Sequence, residues 1–578
     1  MNEIVDQQQF ETHQAADDLR KGIKSVLGHA VQAYREELKV YQSLQNLNEV
    51  IGTEYGNRVI YELIQNAHDA HTSDERGRIC VRLSIENMSQ GTLYIANEGR
   101  GFSRQDIEAI KNLATSSKGI GEGIGNKGLG FRSIEALTQS VRIYSRSDTN
   151  GKEMFEGYCF RFADIDEIAQ NIRALGVDDA TSDEVAKTLP RYLVPVPLEV
   201  QPDDVRAFAR DGFSSVIVAP LENEAAVTLA KTQVKELTNR DVPLMLFLDR
   251  ITEISIEILS PDNKSEKCTM QRQQKALGII PDSPHITLYE VNVGKRKRFL
   301  VAKSNVDKVR VHQAVTSSVS QAPQLKRWLN WKGTPVVSVA VGLNKSTVTS
   351  GRLYNFLPMS AEATSPIYGY IDAPFFADID RRNADMNLPL NRLLMEVAAE
   401  TCATAALSIV TRELAIGVHA VFDLFAWAGN HRRMMQTALE RKETSLGKVR
   451  LIPVITAQGK QQWSSLQEVF IWPEGKFAIL KPKDIARYSR AHLVSGELNT
   501  LRIARLREVA KFSYMLHSLD PTPQALAKWA EAFADSLVER KSPPAIWTKF
   551  YDDLVTLFAA AKVRLSTLEK CQILYDRQ

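Results

Sequence analysis

Apolar and polar positions follow more than one rhythm along the 578 residues. In the first fifty, Leu19, Ile23, Leu27 and Val31 recur at every fourth place, and Leu38, Tyr41 and Leu44 continue the stripe. That period predicts a long polar helix over 12–50 with one face laid on a neighbour. Gly52 and Gly56 interrupt it before a second helical run, YELIQNAHDA at 61–70. The period then falls to two. ICVRLSIE (79–86) and TLYIA (92–96) read as strands joined by a turn.

A helix RQDIEAIKNLA, with Ser103 as its N-cap, leads to a glycine-dense stretch and then to strands within 140–161. Residues 165–210 read as a mostly helical, acidic insertion. From about 222 a helix (AAVTLAKTQVKEL) precedes alternating strands EISIEIL, ITLYEVNV, RFLVAKS and PVVSVAVG. Residues 388–445 and 500–578 are helix-rich, with a strand-like stretch at 451–473 between them. The expected class is therefore α+β, in four pieces: 1–50, 51–221, 222–395 and 396–578.

Composition changes this picture little. A chain this long exceeds one hydrophobic core, and 44% hydrophobic with 24% charged residues is ordinary for a globular protein. A net charge of +3 supplies no whole-chain argument for nucleic acid or a membrane surface. No run of 18 apolar residues occurs and the N-terminus is polar, so neither a membrane span nor a signal peptide is expected. Cys80, Cys159, Cys268, Cys402 and Cys571 are far apart and form no CxxC pair, which suggests a reducing compartment and a cytoplasmic location.

The chemistry concentrates in residues 62–133. On a helix, Glu62, Asn66 and Asp69 fall at i, i+4 and i+7, so a carboxylate, an amide and a second carboxylate share one face. Such a face suits a hydrated magnesium ion, which takes oxygen ligands and keeps several waters. A charged stripe on a surface helix is the plainer alternative. Asn97-Glu98-Gly99-Arg100-Gly101-Phe102 sits directly after the second strand, where glycines let backbone approach a ligand. Then SSKGIGEGIGNKGLGFRS (116–133) runs glycine-rich backbone into a helix-like start, a natural anion site. It lacks the GK[ST] spacing of a P-loop and does not follow a strand as a dinucleotide fingerprint does.

In order and spacing these three pieces resemble the GHKL (Bergerat-fold) ATPases, the superfamily of the ninety-kilodalton heat-shock chaperone, type II topoisomerases, MutL and histidine kinases. ELIQNAHDA looks like the N box, NEGRGF the first glycine box and IGNKGLGFRS the second, the last closest to the sacsin-like branch. The resemblance implies an α/β-sandwich ATPase domain at 51–221, a second α/β domain at 222–395, and ATP with Mg2+ as cofactors. It implies Glu62 as general base, Asn66 as the magnesium ligand and Asp69 as a supporting acid. Asn97, Gly99 and Gly101 would lie at the adenine, with Asn97 standing where the family has an aspartate. Gly125, Gly128 and Gly130 would wrap the phosphates, with Asn126, Leu129 and Phe131 in the same box and Lys118 and Lys127 within reach of the terminal phosphate.

Ser215, with Ser214 as the alternative, would supply the hydroxyl near adenine. Arg381 and Arg382 are the candidate cations from the second domain, although pairing with Asp378 and Asp380 explains them equally well. The Lys295–Arg298 run, at an expected hairpin, reads chiefly as a solvated turn rather than a nucleic-acid contact. The implied activity is ATP binding and hydrolysis coupled to a protein partner or homodimer, in a chaperone-like machine or a bacterial antiviral defence system. A nucleotide-gated scaffold with negligible turnover, or a MutL- or topoisomerase-like factor acting on nucleic acid, are the alternatives.

Overall fold

The computed structural model describes every residue except 1, 47–55, 73, 112–129, 148–152, 239–241, 263, 345–350, 378–382, 456–461, 514–518 and 575–578. A helix over Asn2–Arg35 opens the chain and buries Leu19, Ile23, Leu27 and Val31, the residues of the fourfold stripe. The helix Val59–Asp69 follows and buries Leu63, Ile64 and Ala67 in the same core.

Beneath these helices lies the first half of a long sheet. Its strands are β1 (Gly77–Ile85), β2 (Gly91–Asn97), β3 (Arg142–Ser145), β4 (Phe160–Phe162), β5 (Pro195–Pro197), β6 (Ser215–Leu221) and β7 (Ile251–Leu259). The second half comprises β8 (Ser265–Ile280), β9 (Ser283–Val293), β10 (Lys297–Asn305), β11 (Val336–Gly342), β12 (Arg352–Asn355), β13 (Leu357–Pro358) and β14 (Gly369–Asp372). The order across the sheet is β13-β12-β14-β11-β10-β9-β8-β7-β1-β2-β6-β3-β4-β5. Neighbours are antiparallel except β1 with β7 and β12 with β14.

The sheet does not stop at residue 222. β7 lies parallel beside β1, with Val81 opposite Ile256, and so continues the first half. β8 joins the halves because its first residues pair with β7 and its later ones, from Arg272, with β9. Open twisted sheets rarely exceed about ten strands without splitting or curling. One long strand shared between two differently covered halves meets that limit. The first half is covered by the helices Val59–Asp69 and Glu224–Leu237. The second is covered by Pro389–Thr411, whose residues join β9, β10, β11 and β14 in a separate core.

Among the described residues Pro389–Thr411 is the only helix long and apolar enough to cross a membrane, and 78% of its apolar window is buried inside the protein. A third core gathers the helices Pro523–Glu539 and Pro544–Ala560. There the Asp553 carboxylate accepts the backbone N–H groups of Ala478, Ile479 and Leu480, each at 2.7 Å. The β9–β10 hairpin turns at Gly294 (φ +64°), leaving Lys295 and Arg296 exposed, and Arg298 pairs with Glu290 at 2.8 Å.

Candidate functional site

The helix Val59–Asp69 is held at its start by Gln233, which accepts from Ile60 N–H at 3.0 Å and donates to the Gly56 carbonyl at 2.6 Å. Fixing the first turn fixes the rotation of the whole helix. With Leu63, Ile64 and Ala67 committed to the core, Glu62 and Asp69 are buried and Asn66 is half-buried.

At the far end of this helix the Ala70 carbonyl accepts from Arg100 N–H at 2.8 Å, so the loop after β2 docks on the helix terminus. A β-carbon on Gly99 would stand 2.6 Å from the Ala70 carbonyl, and one on Gly101 would collide with the Arg146 carbonyl. Both glycines therefore serve close packing of the protein's own backbone. Their sequence signal, room for a ligand, did not distinguish that use. The loop is fastened further by Glu98, which accepts from Arg78 Nε at 2.6 Å and Arg78 N–H at 2.8 Å. Arg100 grips Asp106 at 2.5 and 2.9 Å. Burial alone would raise the Asp106 carboxyl, but Arg100 and Ser103 bring it down to about 2. Ser103 Oγ accepts from Asp106 N–H at 3.3 Å, the cap expected for the Arg104–Lys111 helix.

β6 lies beside β2 with Ser215 opposite Asn97. The Ser215 hydroxyl donates to Asn97 Oδ1 at 2.7 Å, while Ser214 turns aside and donates to the Glu98 carbonyl at 3.0 Å. Of the two serine hydroxyls, that of Ser215 bonds the Asn97 side chain. On the far side of β6, Ser145 of β3 faces Ser215 and accepts from Phe102 N–H at 2.7 Å. Ser145 was missed in the sequence because its strand gives no motif; only the register brings it here.

The segment Gly130–Ala136 is a 3-10 helix rather than an α-helix and packs against Val59–Asp69, with Phe131 half-buried on the first core. Arg132 is buried, donates to the Ile110 carbonyl at 2.7 Å and stacks on Tyr192 with its guanidinium carbon 3.4 Å from the ring centre. Lys118, Gly125, Asn126, Lys127, Gly128, Leu129, Arg381 and Arg382 lie outside the described residues.

A charged junction at the C-terminal end of the helix was not foreseen. His68 Nδ1 lies 3.4 Å from Asp69 Oδ1, and its Nε2 lies 3.4 Å from Asp249 Oδ1. Lys303 of β10 donates to the other Asp249 oxygen at 2.7 Å. Burial works against the Asp249 charge, yet the His68 hydrogen bond and the Lys303 ammonium hold its carboxyl well below the usual range. The helix that carries Glu62, Asn66 and Asp69 is thereby tied to the second half of the sheet.

Residues 57–165 match the family model described as histidine kinase-, DNA gyrase B-, and HSP90-like ATPase. No curated protein matches the chain. Among solved structures, the N-terminal domain of a DNA repair protein is similar at 10% identity, covering 62% of this chain and 95% of that one with a TM-score of 0.26. The B-subunit of the DNA gyrase from Myxococcus xanthus is similar at 11% identity, covering 64% and 99% with a TM-score of 0.25. Likenesses at such scores bear on neither fold nor function. The matched residues include the helix Val59–Asp69, the loop after β2 and the strands β1 to β4, while β6 lies beyond them.

Proposed function

We propose that this protein binds ATP with Mg2+ on the face of the helix Val59–Asp69 and hydrolyses it, passing the nucleotide state to a protein partner or a second copy of itself. The observation that carries the reading is the placement of Glu62 and Asp69, buried, and Asn66, half-buried, on the helix onto which the β2 loop docks. The domain match supports nucleotide binding at the level of the family.

The donor set fits the metal. Glu62, Asn66 and Asp69 offer oxygen only, and among the described residues no three His, Cys, Asp or Glu groups gather into a cage. Too few protein oxygens for a closed shell suits Mg2+, which keeps waters and takes phosphate oxygens. Asn66 would hold it, and when bound it would neutralise charge on the phosphates. Glu62 orients and deprotonates the attacking water, a contribution of about 10²–10⁴ in rate. Arg381 and Arg382 remain the proposed cations for the terminal phosphate, with Lys118 and Lys127 beside the glycines of the second box. The free thiols Cys80, Cys159 and Cys402, all buried, agree with a cytoplasmic setting. The wording of the second glycine box supports a chaperone-like or antiviral-defence role over a nucleic-acid one.

Mg-ATP binding and phosphate release measured on the native chain, Glu62→Ala and Asn66→Ala test this. Glu62→Ala should bind ATP and lose at least about a hundredfold in turnover. Asn66→Ala should lose the magnesium dependence of binding. A native chain that binds no purine nucleotide refutes the reading.

A further inference from the structure

Asn97 is buried at the end of β2, and its polar atoms have unequal fates. Its carbonyl accepts from Ser214 N–H at 2.9 Å and its Oδ1 accepts from the Ser215 hydroxyl at 2.7 Å. Its side-chain nitrogen is buried with no hydrogen-bond partner. Buried amide nitrogens without an acceptor are costly, and the cost is relieved when an acceptor arrives. The neighbouring Ser145 hydroxyl is engaged elsewhere, since it accepts from Phe102 N–H at 2.7 Å and donates to the Arg146 carbonyl at 3.2 Å.

A serine hydroxyl donates or accepts with equal ease, and an amide presents one acceptor and one donor group. With Ser215 donating to Oδ1, Asn97 has N–H left to offer. Turned over, its nitrogen donates to Ser215 Oγ and its oxygen is left instead. Either orientation satisfies the pair, and each leaves the opposite kind of atom for a ligand. A carboxylate at this position could offer only an acceptor.

We propose that the Asn97–Ser215 pair accepts both kinds of purine edge, so that the site takes 6-oxopurine nucleoside triphosphates as well as ATP. This rests on the reading above that Asn97 lies at the base. Against a 6-amino group the amide oxygen accepts; against a 6-oxo group the amide nitrogen donates. In either orientation the Ser215 hydroxyl keeps one hydrogen bond to the Asn97 side chain.

Inosine triphosphate is the sharpest probe, because it replaces the 6-amino group by oxygen without adding the 2-amino group of GTP. Dissociation constants for Mg-ATP and Mg-ITP are measured on the full chain and on Asn97→Asp, with a melting curve to confirm that the variant is folded. The native constants should agree within about tenfold, and Asn97→Asp should shift the ratio toward ATP by about tenfold or more, one lost hydrogen bond to a buried group. A native preference for ATP beyond about tenfold overturns the proposal while leaving ATP binding intact. So does a folded Asn97→Asp with an unchanged ratio. Failure to bind either nucleotide overturns the functional reading itself, and this proposal with it.

Discussion

Two acid–base groups in this protein differ in exposure, and they are built differently. In the C-terminal region Asp423, on the helix Val418–Phe425, meets Arg502, on Thr500–Phe512. The guanidinium donates to both carboxylate oxygens, at 2.8 and 2.6 Å, and both side chains are at most 2% exposed. At the junction of the sheet halves, the Asp249 carboxylate is 37% exposed, takes one close bond from Lys303, and reaches His68 only at 3.4 Å. The first is a sealed fork between two packed helices. The second is a looser chain of contacts linking the helix Val59–Asp69 to β10. A sealed pair resists separation because either charge alone would be stranded in a low dielectric. A half-open one separates into water at small cost. Exposure of the charges thus tells the two groups apart.

Removing one partner of the sealed pair should have the largest effect. Asp423→Ala strands the Arg502 charge and should cost about 3–5 kcal/mol, lowering the melting transition of the C-terminal helices. Replacing both residues with apolar ones of similar volume should recover most of the loss. A cost below about 1 kcal/mol for the single change would mean that the fork is solvated after all.

Next comes Asp372, near the junction on β14. It is buried and accepts from Phe356 N–H at 2.7 Å, holding that residue at φ +65°, a conformation aromatic side chains rarely adopt. Burial pushes its carboxyl up to about 7 against the pull of the Phe356 N–H, with Lys303, Asp249 and His68 the charged or titratable groups around it. Its unfolded value is about 3.9, so between about pH 4 and 7 the folded state holds a proton that the unfolded state has lost. Stability from this residue is therefore present at low pH and lost as pH rises through that window. Asp372→Asn keeps an acceptor for Phe356 and cannot ionise. The native chain should lose about 2 kcal/mol relative to the variant between pH 5 and 8. Parallel stability curves over that range would remove Asp372 as the source.

Local geometry explains what was legible. Glu62, Asn66 and Asp69 share a face because a helix puts i, i+4 and i+7 together, and the fourfold stripe from Leu19 to Val31 is buried for the same reason. The resemblance to the family was readable because the glycines and acids that carry it lie within some seventy consecutive residues, 62–133. What escaped is long-range. Gly77 pairs with Ile251 and begins the parallel β1–β7 contact that carries the sheet past residue 222. His68 finds Asp249 across 181 positions, and neither residue sits in a motif that names the other. Gly99 and Gly101 were readable as glycines that something must approach closely. That the approaching groups include the Ala70 and Arg146 carbonyls is a fact of packing, which no local pattern encodes.

The smallest effect, and the sharpest on the comparison, belongs to Asp249. With its carboxylate 37% exposed and Lys303 20% exposed, screening reduces the pair to about 1 kcal/mol, and Asp249→Asn should cost no more than that. Salt separates the two groups more cleanly than the mutation does. At 1 M ionic strength the screening length falls to about 3 Å, so an exposed pair loses most of its attraction while a sealed one does not. The difference between native and Asp249→Asn should shrink toward zero as salt is raised from about 0.05 to about 1 M. The difference between native and Asp423→Ala should stay nearly constant. If both differences fell together, the fork would be open to solvent like the junction. If neither fell, the His68–Asp249–Lys303 chain would be as closed as the fork, and the two groups would be doing the same structural job.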